Sequence, residues 1–483
     1  MTMLQRRPFR AEYLVQWNAR KSNDETEPLI DKVVVAVLHQ QGIPFEYSGD
    51  YRNIYSYDKL MEQLEHYDRK FTLNKDNPYL KFGLSVAFKL FACPDTKMRL
   101  ETVELVSGAT ELIETLNIKE DRSAGLTAYG ESKATAFTVG LDKAIDILQN
   151  GKSPAPCLAG VRTQRGEKTR LVWGYPLEMT IIESVVARPL INYFREADTV
   201  MSFGMYSHET GARMRTSASQ TKYHYSLDYS QFDAHIGPQF IQYAFDAFRT
   251  WFNLDDKVCG DVTLRELFDQ IQKYFATTPI VMPKRGAKYP EVVVGKRGGV
   301  PSGSYFTQLV DSFVNTALIF ACSARFQLGL RDENVFVLGD DCLFFCNKDG
   351  SPELLSKMSQ FLCTLGFKVN AEKGSCGLST DEIEYLGRRW KNGFPVRSMK
   401  EVTRGSLYPE NYRKYSPERG IRQKQVLSVL NSYLLTSYLE DPPVGVDVFQ
   451  QVYEITPWMS SGFTEFLLRE GLIPGDSLRR AIY

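Results

Sequence analysis

Two neighbouring carboxylates, Asp340 and Asp341, follow Gly339 between the apolar runs NVFVL and CLFFC. That pattern reads as two strands joined by a tight acidic turn. Carboxylates held side by side between apolar strands repel each other and lose solvation. A divalent cation relieves both costs, and oxygen ligands suit magnesium. A third carboxylate, Asp228, ends the strand-like run YHYSL far upstream and begins Asp228-Tyr229-Ser230-Gln231-Phe232-Asp233. If both strands share a sheet, Asp228 and Asp340 can hold two metals between them. Such a pair activates a hydroxyl nucleophile and steadies a leaving pyrophosphate in phosphoryl transfer. Each piece has an ordinary alternative. Asp is common in solvated turns, and a lone Asp228 serves equally as a strand-end cap.

Between the acidic motifs lies Gly298-Gly299-Val300-Pro301-Ser302-Gly303-Ser304-Tyr305-Phe306-Thr307. Glycines let a backbone approach a ligand closely, and Ser302 and Thr307 offer hydroxyls to a sugar or phosphate. Seen alone, the segment is a hairpin-to-helix connection. Upstream, Arg162, Arg165, Lys168 and Arg170 alternate along an extended stretch. They can line a channel for nucleoside triphosphates, although a run of charge is more often a solvated face. Lys284, Arg285, Lys288, Lys296 and Arg297 carry the same ambiguity, with a template strand as the functional alternative.

Several elements must position these groups. A helix is expected over about 134–149, and a hairpin over 279–300. Pro238 opens a helix, and a long apolar helix follows Pro301-Ser302-Gly303. Ser351-Pro352-Glu353 starts another, with Leu354, Met358, Phe361 and Leu365 on one face and Gly366 closing it. Helical patterns also occur upstream in LIDKVVVAVLHQ and ELVSGATELIETL, and the last fifty residues look helical.

The 483 residues exceed one ordinary core, so two or three subdomains are expected. With 43% hydrophobic and 24% charged residues, a disordered chain and a collagen-like fibre are excluded. Lys plus Arg and Asp plus Glu both total 58, which argues against a coat that binds nucleic acid by bulk charge. Residues 387–425 nevertheless hold eleven Lys/Arg against three Asp/Glu, a net of +8. The eight cysteines contain no CxxC pair and read as reduced thiols in a cytosolic setting, and the five histidines show no zinc-ligand spacing. The N-terminus lacks an apolar signal core. The best membrane-span candidate, Val310 to Phe326, carries Asp311, Asn315 and Arg325 and is expected to be a buried helix.

Taken in order over about residues 121–390, the motifs resemble those of viral RNA-dependent RNA polymerases. The wording of PSGSYFTQLVDSFVN and RLVWGYP is most similar to the polymerases of partitiviruses, which have double-stranded RNA genomes. The resemblance implies an α+β right-hand fold of fingers, palm and thumb, with an antiparallel palm sheet flanked by helices. It implies residues 1–120 bridging fingers and thumb, fingers at 121–222, and a first palm segment at 223–252. A fingers insertion at 253–297, the remaining palm at 298–390 and a thumb at 391–483 complete the hand.

By the same resemblance, Ser123 and Gly125 contact template RNA, and Arg162, Arg165, Lys168 and Arg170 hold the incoming nucleotide. Asp228, Asp340 and Asp341 bind Mg²⁺ or Mn²⁺. Asp233 and Ser302 sense the ribose 2′-hydroxyl, with Gly303 and Thr307 in the same motif. Lys373 donates a proton to pyrophosphate, and Arg388 and Arg389 grip the primer strand. Related polymerases carry Asn four residues after the threonine matched by Thr307. Here Asp311 stands at that position and Asn315 one helical turn later, so either is a candidate partner for Asp233.

The implied activity is RNA-directed RNA polymerisation on RNA and ribonucleoside triphosphates. It would proceed inside a particle beside the capsid protein, in host cytoplasm, without a membrane. A reverse transcriptase shares the palm, but Asp233 and Gly339 argue against it. A non-catalytic RNA-binding or capsid protein is opposed by the joint presence of Asp228, Asp340 and Asp341.

Overall fold

The computed structural model describes residues 3–408, apart from 31–34, 36–38, 40–44, 48–53, 72–75, 96, 165, 167 and 206, and beyond them only Tyr438 and Leu439. The acidic hairpin lies at its centre. Val335–Leu338 and Asp341–Cys346 pair antiparallel, with Leu338 opposite Asp341. Only Gly339 and Asp340 therefore form the loop. Gly339 sits at φ +65°, the left-handed backbone that the first position of a type II′ turn requires.

Tyr223–Ser226 and Ser375–Leu378 extend this into a four-stranded antiparallel sheet, in the order Ser375–Leu378, Tyr223–Ser226, Asp341–Cys346, Val335–Leu338. Both faces are covered, which is why the hairpin reads as unbroken apolar runs. Val335, Val337, Cys342 and Phe344 join the main core. Phe336, Leu343 and Phe345 join a smaller cluster with Ile383, Tyr385 and Trp390. Burying each phenylalanine contributes about 1.5–3 kcal/mol.

The main core is organised around the helix Thr307–Phe326, buried along almost its whole length. It is long and apolar enough to cross a membrane, yet 83% of that window is buried within the protein. The helix Pro78–Phe91 crosses it where Gly83 meets Ala317 and Ala321. A Cβ at Gly83 would lie 2.0 Å from the Ala317 carbonyl oxygen, so only glycine permits the approach.

A second, five-stranded sheet runs in the order Gln5–Pro8, Glu291–Val294, Ile280–Met282, Cys157–Gln164, Lys168–Gly174. The hairpin expected over 279–300 is its Ile280–Met282 and Glu291–Val294 pair. A third sheet joins Ile383–Tyr385, Arg388–Lys391, Phe394–Arg397 and the parallel strand Tyr438–Leu439.

The helix expected near 134–149 spans Phe137–Asn150, and that expected after Pro238 spans Pro238–Arg249. Ser351 caps Pro352–Thr364 by accepting the Leu354 N–H at 3.3 Å, and Gly366 follows at φ +93°. All eight cysteines are free thiols.

Two helical readings need correction or limits. Within ELVSGATELIETL only Leu112–Thr115 is helical. Gly108 turns the chain at φ +81°, and the Leu105 N–H bonds to the Val258 carbonyl at 2.7 Å. Tertiary pairing has overridden the 3.6-residue pattern. The pattern at 29–40 falls mostly outside the described residues, as do the last fifty residues apart from Tyr438 and Leu439.

Candidate active site

The strand Tyr223–Ser226 ends before Asp228, and the chain then turns through Gln231 at φ +56° into the short helix Phe232–His235. This bend separates Asp228 from Asp233 while leaving both on one cleft. The cleft encloses about 440 Å³ and is lined by Asp228, Asp233, Asp340, Lys168, Arg170 and Lys373, among others. Lys373 arrives from the loop after Gly366. That loop is laced to the Asp228 turn, since Asn370 N–H reaches the Asp228 carbonyl at 2.8 Å and Ser230 N–H reaches the Lys368 carbonyl at 2.8 Å.

The cations come from the hairpin of Cys157–Gln164 and Lys168–Gly174. Arg162 lies opposite Arg170 in its register, so both share a face with Lys168, while Thr163 and Thr169 point into the core. Arg170 opposes the charges of Asp233, Asp340 and Asp341. Arg165 lies outside the described residues.

Asp340 lines the cleft, and both Asp340 and Asp341 meet solvent while being crowded by protein. Burial, and then repulsion from Asp340 and Asp228, pushes the Asp341 carboxyl up to about 6. Burial raises Asp340 as well, against the pull of Arg170. This all-oxygen, mutually repelling set fits a hard divalent cation in kind. Among the described residues no three His, Cys, Asp or Glu side chains form a ready-made cage.

The partner of Asp233 is Asp311. Burial raises both carboxyls, and the charge of Asp340 then adds to Asp233 while the charges of Asp233 and Asp340 add to Asp311. Asn315 is used elsewhere. Its Nδ2 donates to the carbonyls of Gly339 and Asp340 at 3.0 Å and of Asp341 at 3.4 Å. Ser312 Oγ accepts the Gly339 N–H at 2.9 Å. One face of the central helix thus holds the acidic turn by its backbone, and of the two candidate partners for Asp233 it is Asn315 whose amide N–H groups are taken by that turn.

In the glycine-rich segment, Ser302 Oγ accepts the Trp173 N–H at 3.3 Å, and Thr307 Oγ1 donates to the Pro301 carbonyl at 3.0 Å. A Cβ at Gly303 would lie 1.8 Å from the Trp173 carbonyl oxygen. Its backbone therefore rests directly on the cationic hairpin. Ser123 Oγ accepts the Gly125 N–H at 3.2 Å, and Gly125, at φ +67°, packs on Tyr175. Arg389 forms ion pairs with Glu382, just before the third sheet, at 3.1 Å and with Glu401, on the helix Met399–Leu407 after it, at 3.5 Å, so its RNA role competes with these charges. Arg388 is half-buried on the same strand.

Four of the five cations at 284–297 have partners within the protein. Lys284 pairs with Glu291, Arg285 with Asp24 and Asp58, and Lys288 with Glu12, each at 2.9–3.2 Å. Lys296 is buried.

Two groups escaped the sequence reading. Lys59, Glu62, Gln63 and His66 form the polar stripe of the helix Tyr57–Glu65 and its cap, and they line the cleft. The helix is tied down where Ser56 N–H meets Thr169 Oγ1 at 3.1 Å. Its i, i+3, i+4, i+7 polar spacing was visible, but it is also the spacing of any solvated face.

Glu183 is fully buried on the helix Leu177–Glu196 and accepts the Ser304 hydroxyl and the Tyr305 N–H at 2.8 Å. Burial pushes its carboxyl up to about 7, against those hydrogen bonds and Lys133. A carboxyl raised on folding binds more protons folded than unfolded, so it loses stabilising power as pH rises from its ordinary 4.5 through about 7. In urea titrations, wild-type stability should fall relative to Glu183→Gln across that window. Parallel curves would show that folding leaves the Glu183 carboxyl unshifted.

A sequence profile described as viral RNA-dependent RNA polymerase matches residues 47–440. The RNA-directed RNA polymerase of Cryptosporidium parvum virus 1 (strain KSU-1) is 29% identical over 238 residues, 45% of this chain and 41% of that one. The RNA-directed RNA polymerase of Atkinsonella hypoxylon virus (isolate 2H) is 25% identical over 296 residues, 51% of this chain and 43% of that one. These matches span less than half the length of either curated relative. Among solved structures, an insertion-loop deletion mutant of a human picorbirnavirus RNA-dependent RNA polymerase superposes with a TM-score of 0.64 at 15% identity, over 98% of this chain and 94% of that one. The polymerase without that deletion gives 0.62 over 89% and 88%. The fold is the right-hand polymerase fold, with its antiparallel sheet at the centre.

Proposed function

Because the chain belongs to the viral RNA-dependent RNA polymerase family, we propose that it is an RNA-directed RNA polymerase that transcribes and replicates the genome of a double-stranded RNA virus. The convergence of Asp228, Asp233, Asp340, Arg170 and Lys373 on one cleft carries this reading. The RNA 3′-hydroxyl attacks the α-phosphate of a ribonucleotide, a new phosphodiester forms, and pyrophosphate leaves.

Arg170 and Lys168, with Arg162 on the same face, hold the triphosphate by charge. Asp233 accepts the ribose 2′-hydroxyl, with the buried Asp311 beside it. Ser302 stands in the loop beside them. Lys373 supplies the proton that leaves with pyrophosphate. Asp228, Asp340 and Asp341 would hold Mg²⁺, or Mn²⁺, which supplies charge neutralisation and activation of the attacking hydroxyl when bound. Most of the rate then comes from positioning and preset charge.

The same reading assigns residues 1–120 to a bridge between fingers and thumb, 121–222 and 253–297 to fingers, 223–252 and 298–390 to palm, and 391–483 to thumb. Ser123, Gly125 and Arg388 face RNA in this assignment. The capsid protein is the proposed partner, with the enzyme at work in the particle interior in host cytoplasm.

The test is incorporation by the purified protein on single-stranded RNA, with ribonucleotides against deoxyribonucleotides. Product specific to ribonucleotides is expected with Mg²⁺ or Mn²⁺. It should vanish on chelation with EDTA and return when the ion is restored. Equal use of both sugars would bring back the reverse transcriptase. RNA binding without product, by free and packaged protein alike, would favour the non-catalytic alternative.

A further inference from the structure

Three consecutive carbonyls in the glycine-rich loop are each gripped by a side chain. Lys296 Nζ donates to Gly298 O at 3.1 Å and Gly299 O at 2.8 Å, and also to Phe275 O and Ala276 O at 2.8 and 3.2 Å. Tyr67 Oη donates to Val300 O at 3.1 Å. Tyr67 comes from the N-terminal segment, next to the cleft-lining stripe. Its ring packs edge-on to Trp173 of the cationic hairpin at 5.2 Å between centroids. The ring also fills the place a Cβ would take at Gly299, 2.5 Å away, where φ is +76°. The gripped loop in turn holds the sugar sensor, since Val300 N–H reaches Asp233 O at 2.9 Å and Gly299 N–H reaches Ile236 O at 2.7 Å.

We propose that Tyr67, acting with Lys296, is a positioning residue for ribose selection: it fixes the Gly298–Val300 backbone, and that backbone fixes Asp233. This rests on the polymerase reading. A tyrosine suits the task because its phenol is a permanent donor here. Burial, and then the charge of Asp233, pushes its ionisation well above the ordinary range. Lys296 suits it because four carbonyls, with no carboxylate among them, take its donors. It can hold backbone without competing for the charges of the cleft.

Tyr67→Phe removes the hydroxyl and leaves the ring on Gly299 and Trp173. The experiment compares kcat/KM for ATP and 2′-deoxyATP on one primed RNA template, with Asp340→Ala as the blank. The ratio of ATP to 2′-deoxyATP use should fall about fivefold, the order set by one hydrogen bond, through loss of ATP use alone. Lys296→Met should move the ratio in the same direction. A uniform loss for both sugars would make Tyr67 a merely structural residue, and an unchanged ratio in an active enzyme would give it no role in selection. Either result overturns this inference and leaves the polymerase standing. A wild type that extends neither nucleotide would overturn both.

Discussion

Asp340→Ala should abolish nucleotide incorporation, by a factor on the order of 10³ or more, while leaving the protein at least as stable as the wild type. The two halves of this expectation come from one fact. Asp340 stands among Asp228, Asp233, Asp311 and Asp341, with Arg170 as the opposing charge. Its carboxylate costs folding energy by repulsion and desolvation. Such a group is retained for what it does with cation and substrate. The melting temperature of Asp340→Ala should therefore equal or exceed that of the wild type, and so should its affinity for single-stranded RNA. Loss of activity together with a collapse in melting temperature would mean that Asp340 holds the turn and not the reaction.

Asn315→Ala should show the opposite combination. It strips the donor from the carbonyls of Gly339 and Asp340 and weakens a third contact at Asp341. Unpaired buried carbonyls should lower stability by about 1–3 kcal/mol. The freed turn displaces both carboxylates, and a misplacement near 1 Å costs about 10²-fold in rate. Selection of ribose over deoxyribose should survive in what activity remains, because Asp311, not Asn315, meets Asp233. Incorporation assays with both sugars, beside urea denaturation, would check it. A lost sugar preference would return Asn315 to the ribose and contradict its place behind the turn.

Much of the site was legible because it is encoded locally. Unbroken apolar runs on either side of Gly339-Asp340 announce the hairpin, and alternating cations at 162–170 announce one face of another. The viral polymerase resemblance is borne out by the family match and the fold. What stayed hidden depends on contacts distant in sequence. Asp311 and Asn315 lie one turn apart on the same helix, and no spacing rule says which meets Asp233 and which reaches the turn. Lys296 reads as one more surface cation, since nothing nearby shows the four carbonyls that enclose it. The stripe at 59–66 matches any solvated helix until Thr169 draws it to the cleft. Arg389 looked free for RNA because Glu382 and Glu401 reach it only through the turns of the third sheet.

At Gly303 the glycine-rich loop and the cationic hairpin, the proposed ribose and triphosphate sites, touch backbone to backbone. On the proposed reading, the span between sugar and phosphate sites is therefore a fixed gauge, set by the Gly303 main chain and steadied by the Ser302 hydroxyl on the Trp173 N–H. Exchanging the cations at 162–170 alters how strongly a triphosphate is held, yet leaves the gauge length unchanged. A longer or shorter phosphate chain would have to fit the gap as it stands, and only a residue larger than glycine at 303 could recalibrate it.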